Sequence, residues 1–159
     1  MTILIQNRQH TQRINLREFR KRARKILEIL GLTKKELSIL LTDDPTIAEL
    51  NQRYLDRTGP TNVIAFPMHE GPYADVNPHL LGDVVISTET AHRQAQEAGL
   101  TAHDMLDRLL VHGILHLVGC DHERSQEERH RMEQKEQEVI RALRDEEDPL
   151  NRGDVREVQ

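Results

Sequence analysis

Hydrophobic positions along the chain follow two spacings, and the switches between them mark out the elements. Ile3, Leu4 and Ile5 form a short apolar run that predicts a first strand. Leu16, Phe19, Ala23, Ile26, Leu27 and Leu30 recur every three or four residues, which predicts a helix over 16–30 closed by Gly31. Glu36–Thr42 reads as a second strand, apolar on both faces towards its end. Asp43-Asp44-Pro45 starts a helix, with Pro in the first turn, expected to carry Ile47, Leu50 and Tyr54 inward. Thr58-Gly59-Pro60 breaks the chain, Asn62–Phe66 is a third strand stopped by Pro67, and Gly82–Ser87 is a fourth. Ser87 or Thr88 caps a helix running to Gly99. Thr101-Ala102-His103-Asp104 opens another in the manner of a capping box, closed by Gly119. Residues 123–144 make a last, very polar helix with a thin buried stripe at Met132, Val139, Ile140 and Leu143.

This order predicts one α+β domain over residues 1–145, with a mixed sheet of about four strands packed with helices and a metal site at the end of a central helix. The charged segment 146–159 is expected to be a mobile tail. Met68–His79, with Gly71, Pro72 and Pro78, is an aperiodic stretch of the kind that is functional or disordered. Aromatic residues are 3% of the chain and Trp is absent, so the core must be aliphatic. A single cysteine, Cys120, excludes an internal disulfide. The first residues read as a strand rather than a signal peptide, and no stretch approaches the roughly 20 apolar residues of a membrane span. A cytoplasmic enzyme is the expectation.

The net charge of −5 disfavours simple nucleic-acid binding. Its distribution is uneven: residues 1–60 are basic, residues 61–159 strongly acidic. Arg17, Arg20, Lys21, Arg22, Arg24 and Lys25 spread over the polar face of the first helix, where solvation is their ordinary role and a phosphate-facing patch the sharper alternative.

The candidate chemistry lies in His112-Gly-Ile-Leu-His116-Leu-Val-Gly-Cys-Asp-His122. His112 and His116 fall four residues apart in a helical pattern, so their rings sit one turn apart on one face. Gly119 lets the chain reverse beyond the helix and present His122 from outside it. Three neutral histidines leave an open coordination position, the arrangement of catalytic rather than structural zinc. The spacing matches the long zincin motif, except that the general-base Glu is replaced by Gly113. Glycine cannot activate water, which argues for a hydrolysis other than standard peptidase chemistry.

The signature His-Gly-x-Leu-His-Leu-x-Gly-x-Asp-His resembles that of the YbeY family of bacterial endoribonucleases. Pro60-Thr-Asn-Val-Ile-Ala-Phe-Pro67, Leu80-Leu-Gly-Asp-Val-Val-Ile-Ser87 and Leu50-Asn51-x-x-Tyr54 support the resemblance, which spans residues 37–143. It implies a single-strand-specific, zinc-dependent endoribonuclease that matures ribosomal RNA at the 16S 3′ end and serves ribosome quality control, with RNA and ribosomal particles as partners. It implies one zinc ion per chain on His112, His116 and His122. The family's usual Arg after the Tyr is Leu55 here, which makes Arg57, two residues on, the candidate phosphate-binding guanidinium. Cys120 and Ala65 replace the usual Tyr and Ser.

Other residues have bland and sharp readings side by side. Cys120 could be a soft ligand but is expected to point away. Asp121 is either a turn residue or an acceptor that orients a ligand histidine, and Asp83 a strand-end residue or a cleft carboxylate. The remaining histidines, His103 among them, lack ligand spacing and read as surface residues, although His69 and His79 flank the long loop. Two rival functions stand beside the nuclease: a zinc peptidase or amidase, disfavoured by Gly113, and a non-catalytic, metal-stabilised ribosome assembly factor.

Overall fold

A computed structural model describes residues 2–68, 79–119 and 125–147. The expected loop at 69–78, the turn carrying His122 and the tail beyond Glu147 lie outside the described residues. The strands are β1 (Thr2–Asn7), β2 (Glu36–Thr42), β3 (Val63–Pro67) and β4 (Leu80–Ser87). The helices are α1 (Leu16–Ile29), α2 (Asp44–Leu55), α3 (Thr88–Ala98), α4 (Ala102–Leu117) and α5 (Gln126–Glu147). α5 thus continues two residues past the expected domain end, and Pro67 lies within β3 rather than after it.

The sheet order is β1-β2-β4-β3, with β1, β2 and β4 parallel and β3 antiparallel to β4. The molecule is therefore a single α+β domain on a four-stranded mixed sheet, as the pattern predicts. Alternation along the strands divides the side chains between two faces. Ile3, Leu37, Ile39, Leu41, Val84 and Ile86 join residues of α1, α3, α4 and α5 in the main core. The opposite residues Ile64 and Val85 pack with Ile47 of α2 in a smaller one. Leu40 of β2 packs at the margin of this cluster, while Leu4 of β1, farther along the same face, is exposed.

The helices begin where short polar side chains cap them. Asn15, Asp43, Ser87 and Thr101 each accept a hydrogen bond from the backbone N–H three residues on. Near the start of β4 Gly82 adopts φ +141°, and a Cβ there would lie 2.2 Å from the Phe66 carbonyl oxygen and 3.0 Å from Leu117 Cδ2. Leu117 and Phe66 therefore meet at the same end of the sheet. Tyr54 does not point inward as expected: it is 59% exposed, its ring edge-on to Phe66 with centroids 5.6 Å apart.

Candidate metal centre

α4 crosses β3 and β4 with its apolar side down, and the fit is close. A Cβ on Gly113 would come within 2.8 Å of Val84 Cγ1 and 3.3 Å of Val63 Cγ2. Position 113 thus faces the sheet. A glutamate there would enter the core instead of reaching a metal, so the missing zincin carboxylate is a matter of packing as well as chemistry.

Turning the helix to its other side brings the two histidines together. His112 and His116 place their Nε2 atoms 3.1 Å apart, with ring centroids at 4.6 Å and planes inclined at 62°. Two imidazole nitrogens about 2.0–2.1 Å from one tetrahedral zinc would be separated by about 3.3 Å. The pair therefore fits two corners of such a site without rearrangement. His122 lies outside the described residues, as do Cys120, Asp121 and His69. Gly119 does take the left-handed conformation, φ +93°, just beyond the helix end.

Sequence reasoning missed the residue that holds this pair. Glu136 of α5 accepts a short hydrogen bond on Oε1 from His112 Nδ1. The two lie 24 residues apart in sequence, and the only available signal was a carboxylate placed between Met132 and Ile140 on the buried stripe of α5. Beside them a groove of about 670 Å³ opens between α4 and α5, lined by Arg108, His112, Glu136, Arg141 and Arg144.

A second polar cluster sits two turns earlier on α4. Asp107 is buried and its Oδ1 takes a 2.5 Å hydrogen bond from Nε of Arg22, itself only 4% exposed. His103 Nε2 lies 3.4 Å from the other carboxylate oxygen. His103, Asp104 and Asp107 offer ligand atoms within 4.8 Å of one another, a set that could hold a metal ion. The Arg22 guanidinium already balances Asp107, so a cation there would be placed against a buried positive charge. Arg22 is accordingly not on the solvated face of α1, whereas His103 is exposed as expected and meets Asp107 from the surface.

Arg57 follows the left-handed Asp56 that ends α2, and its N–H bonds the Asn51 carbonyl. The Tyr54–Phe66 contact holds this end of α2 at the edge where Phe66 and Leu117 meet Gly82. Asp83 is exposed on β4, and the His79 backbone carbonyl accepts from Glu36 N–H. Among the described residues, no helix is long and apolar enough to cross a membrane. At the C-terminal ends of β2 and β4, burial raises the Asp44 pKa. Hydrogen bonds from Ser87, Thr90 and Arg93 outweigh that effect and leave its carboxyl below the usual range.

Comparisons with known proteins agree with this architecture. The chain is 49% identical over 144 residues to an endoribonuclease YbeY of Geobacter sulfurreducens, covering 90% of this chain and 96% of that protein. It is 46% identical over 141 residues to one of Syntrophus aciditrophicus, covering 88% of both chains. A Thermotoga maritima protein known from its solution structure shares the fold, with a TM-score of 0.63 at 23% identity over 89% of each chain. The family model described as Endoribonuclease YbeY matches residues 4–144. With nearly the whole described domain inside that match, the chain belongs to the endoribonuclease YbeY family.

Proposed function

We propose that this protein is a zinc-dependent endoribonuclease that cuts single-stranded RNA in the cytoplasm, matures the 3′ end of 16S ribosomal RNA and serves ribosome quality control. The observation that carries the metal dependence is the facing Nε2 pair of His112 and His116, spaced as two ligands of one tetrahedral ion. His122 completes the ligand set, and the fourth position is left for water or substrate. When bound, zinc supplies Lewis-acid chemistry, polarising a phosphoryl oxygen or making a water more acidic.

The chain's own groups do the rest. The imidazoles hold the ion, and Gly113 keeps their helix pressed to the sheet so that the pair stays fixed. Arg57 pairs with a phosphate of the substrate, a reading supported by the placement of the end of α2 beside Phe66. Arg108 and Arg141, in the groove next to His112, offer further guanidinium groups to the RNA backbone. Arg22 is withdrawn from the basic face of α1 by its pairing with Asp107.

The test is cleavage of single-stranded RNA, duplex RNA and peptide by the full chain, each with and without chelator. Cutting of single strands alone, lost on chelation and restored by zinc, is the expected result. A zinc-loaded protein that binds ribosomal RNA without cutting it would make it an assembly factor. Cleavage of peptides would make it an amide hydrolase.

A further inference from the structure

We propose that Glu136 is a positioning residue for the metal ligand His112, so that docking of α5 and binding of the metal are one coupled event. The inference rests on the reading of His112 and His116 as metal ligands and extends it to a residue outside the histidine signature.

Glu136 occupies a position that the pattern of α5 reserves for apolar side chains. Met132 and Ile140, four residues to either side, are 3% and 7% exposed, and Val139 and Leu143 are buried as well. A carboxylate on such a seam is costly unless a partner meets it. Its partner is His112, whose side chain is 31% exposed against 27% for Glu136, so the contact is largely withdrawn from water. An ionised carboxylate can only accept, so the proton on this edge of the ring belongs to Nδ1 and the lone pair to Nε2. Nε2 is the atom that faces His116. A ring that could otherwise sit in either of two roughly equivalent orientations about its χ2 torsion is thus held with its donor atom towards the metal position. The carboxylate charge also makes the imidazole a stronger donor to a dication.

Glu136 belongs to α5, whereas His112 and His116 belong to α4. Orientation of the ligand is then available only when α5 is docked. By reciprocity, whatever factor docking contributes to metal affinity, the metal returns to docking.

The experiment uses the full chain, with zinc alone as the probe in competition with a chromophoric chelator, on wild type, Glu136→Gln and Glu136→Ala. Glutamine can still accept from Nδ1 but carries no charge, so E136Q is expected to bind zinc about 10-fold more weakly and E136A about 100-fold. Cobalt substituted for zinc should show an altered visible spectrum in E136A and a near-normal one in E136Q. Zinc should slow amide exchange in α5 of the wild type and leave it unchanged in E136A. Circular dichroism identifies a variant that has lost its fold, in which case E136Q alone decides. An E136A that binds zinc within about two-fold of wild type overturns the proposal. An E136Q as weak as E136A overturns it too, because charge rather than orientation would then be the contribution. A wild type that takes up no zinc removes the metal reading itself, and this inference with it.

Discussion

Helix α4 carries two polar pairs of identical spacing with opposite fates. In its first half His103 and Asp107 lie four residues apart, and in its second half His112 and His116 do the same. Each pair meets one charged side chain from another helix, Arg22 of α1 in the first case and Glu136 of α5 in the second. Arg22 is a donor, so it closes the first cluster into a buried ion pair. Glu136 is an acceptor, so it takes the proton-bearing edge of His112 and turns the other edge outward to His116. Spacing along a helix therefore brings the groups together, and the sign of the visiting side chain decides whether they close into a buried ion pair, as at Asp107, or face each other nitrogen to nitrogen, as His112 and His116 do.

The comparison can be broken at several points. The largest effect is expected from His116→Ala, which should lower zinc affinity and RNA cleavage by about 10³-fold or more, because metal ligands act as a unit. Zinc should raise the melting temperature of the wild type and not that of this variant. Loss of neither activity nor metal would remove the second cluster from the chemistry.

Gly113→Glu tests what holds the histidine pair in place. It would drive a charged side chain into Val84 and Val63, at a cost of about 4 kcal/mol or more in denaturant unfolding. No peptidase activity should appear. A stable variant with the new carboxylate active on peptides would contradict the packing described for α4.

Asp107→Ala addresses the ion pair. It leaves Arg22 buried without its partner and should destabilise the fold by about 3–5 kcal/mol. Replacing both, as Arg22→Met with Asp107→Leu, should recover most of that loss. In either variant the zinc bound per folded molecule should stay at the wild-type level, which separates the two clusters cleanly.

Smaller effects lie further out. Arg57→Ala should lower cleavage about 10-fold through the loss of one phosphate contact, with zinc content and melting temperature unchanged. Wild-type rates in that variant would exclude the residue from substrate binding. Asp44 concerns acid stability alone. Its folded carboxyl titrates below the unfolded one, so its contribution is full near neutrality and fades as pH falls below about 4. Asp44→Asn should flatten the acid limb of the stability curve, and an unchanged limb would count against its hydrogen-bonded network.

Much of this was legible in the sequence because it depends on near neighbours. The caps at Asp43, Ser87 and Thr101, the two-sided burial of β2 and the pairing of His112 with His116 each follow from spacing of a few residues. Arg22 was misread because its partner lies 85 positions away, on a helix whose rotation only the folded chain sets. Glu136 was missed for a related reason: α5 is so polar that one more carboxylate on its buried stripe carries no contrast. Tyr54 was expected inside because helical periodicity places it there. α2 reaches the edge of the sheet by that point, where Tyr54 leans edge-on against the Phe66 ring.

The close seating of Gly113 has a consequence for anyone who wishes to retarget the protein. Position 113 cannot gain a carbon without displacing the Val84 and Val63 side chains beneath it. Variation at this position of α4 would therefore disturb the helix that carries the His112–His116 pair. Retargeting is better sought on the wall of the groove facing α4, at Glu133, Gln137 and Arg141 of α5 and at Asn62, where side chains can be exchanged while α4 keeps its seating on the sheet.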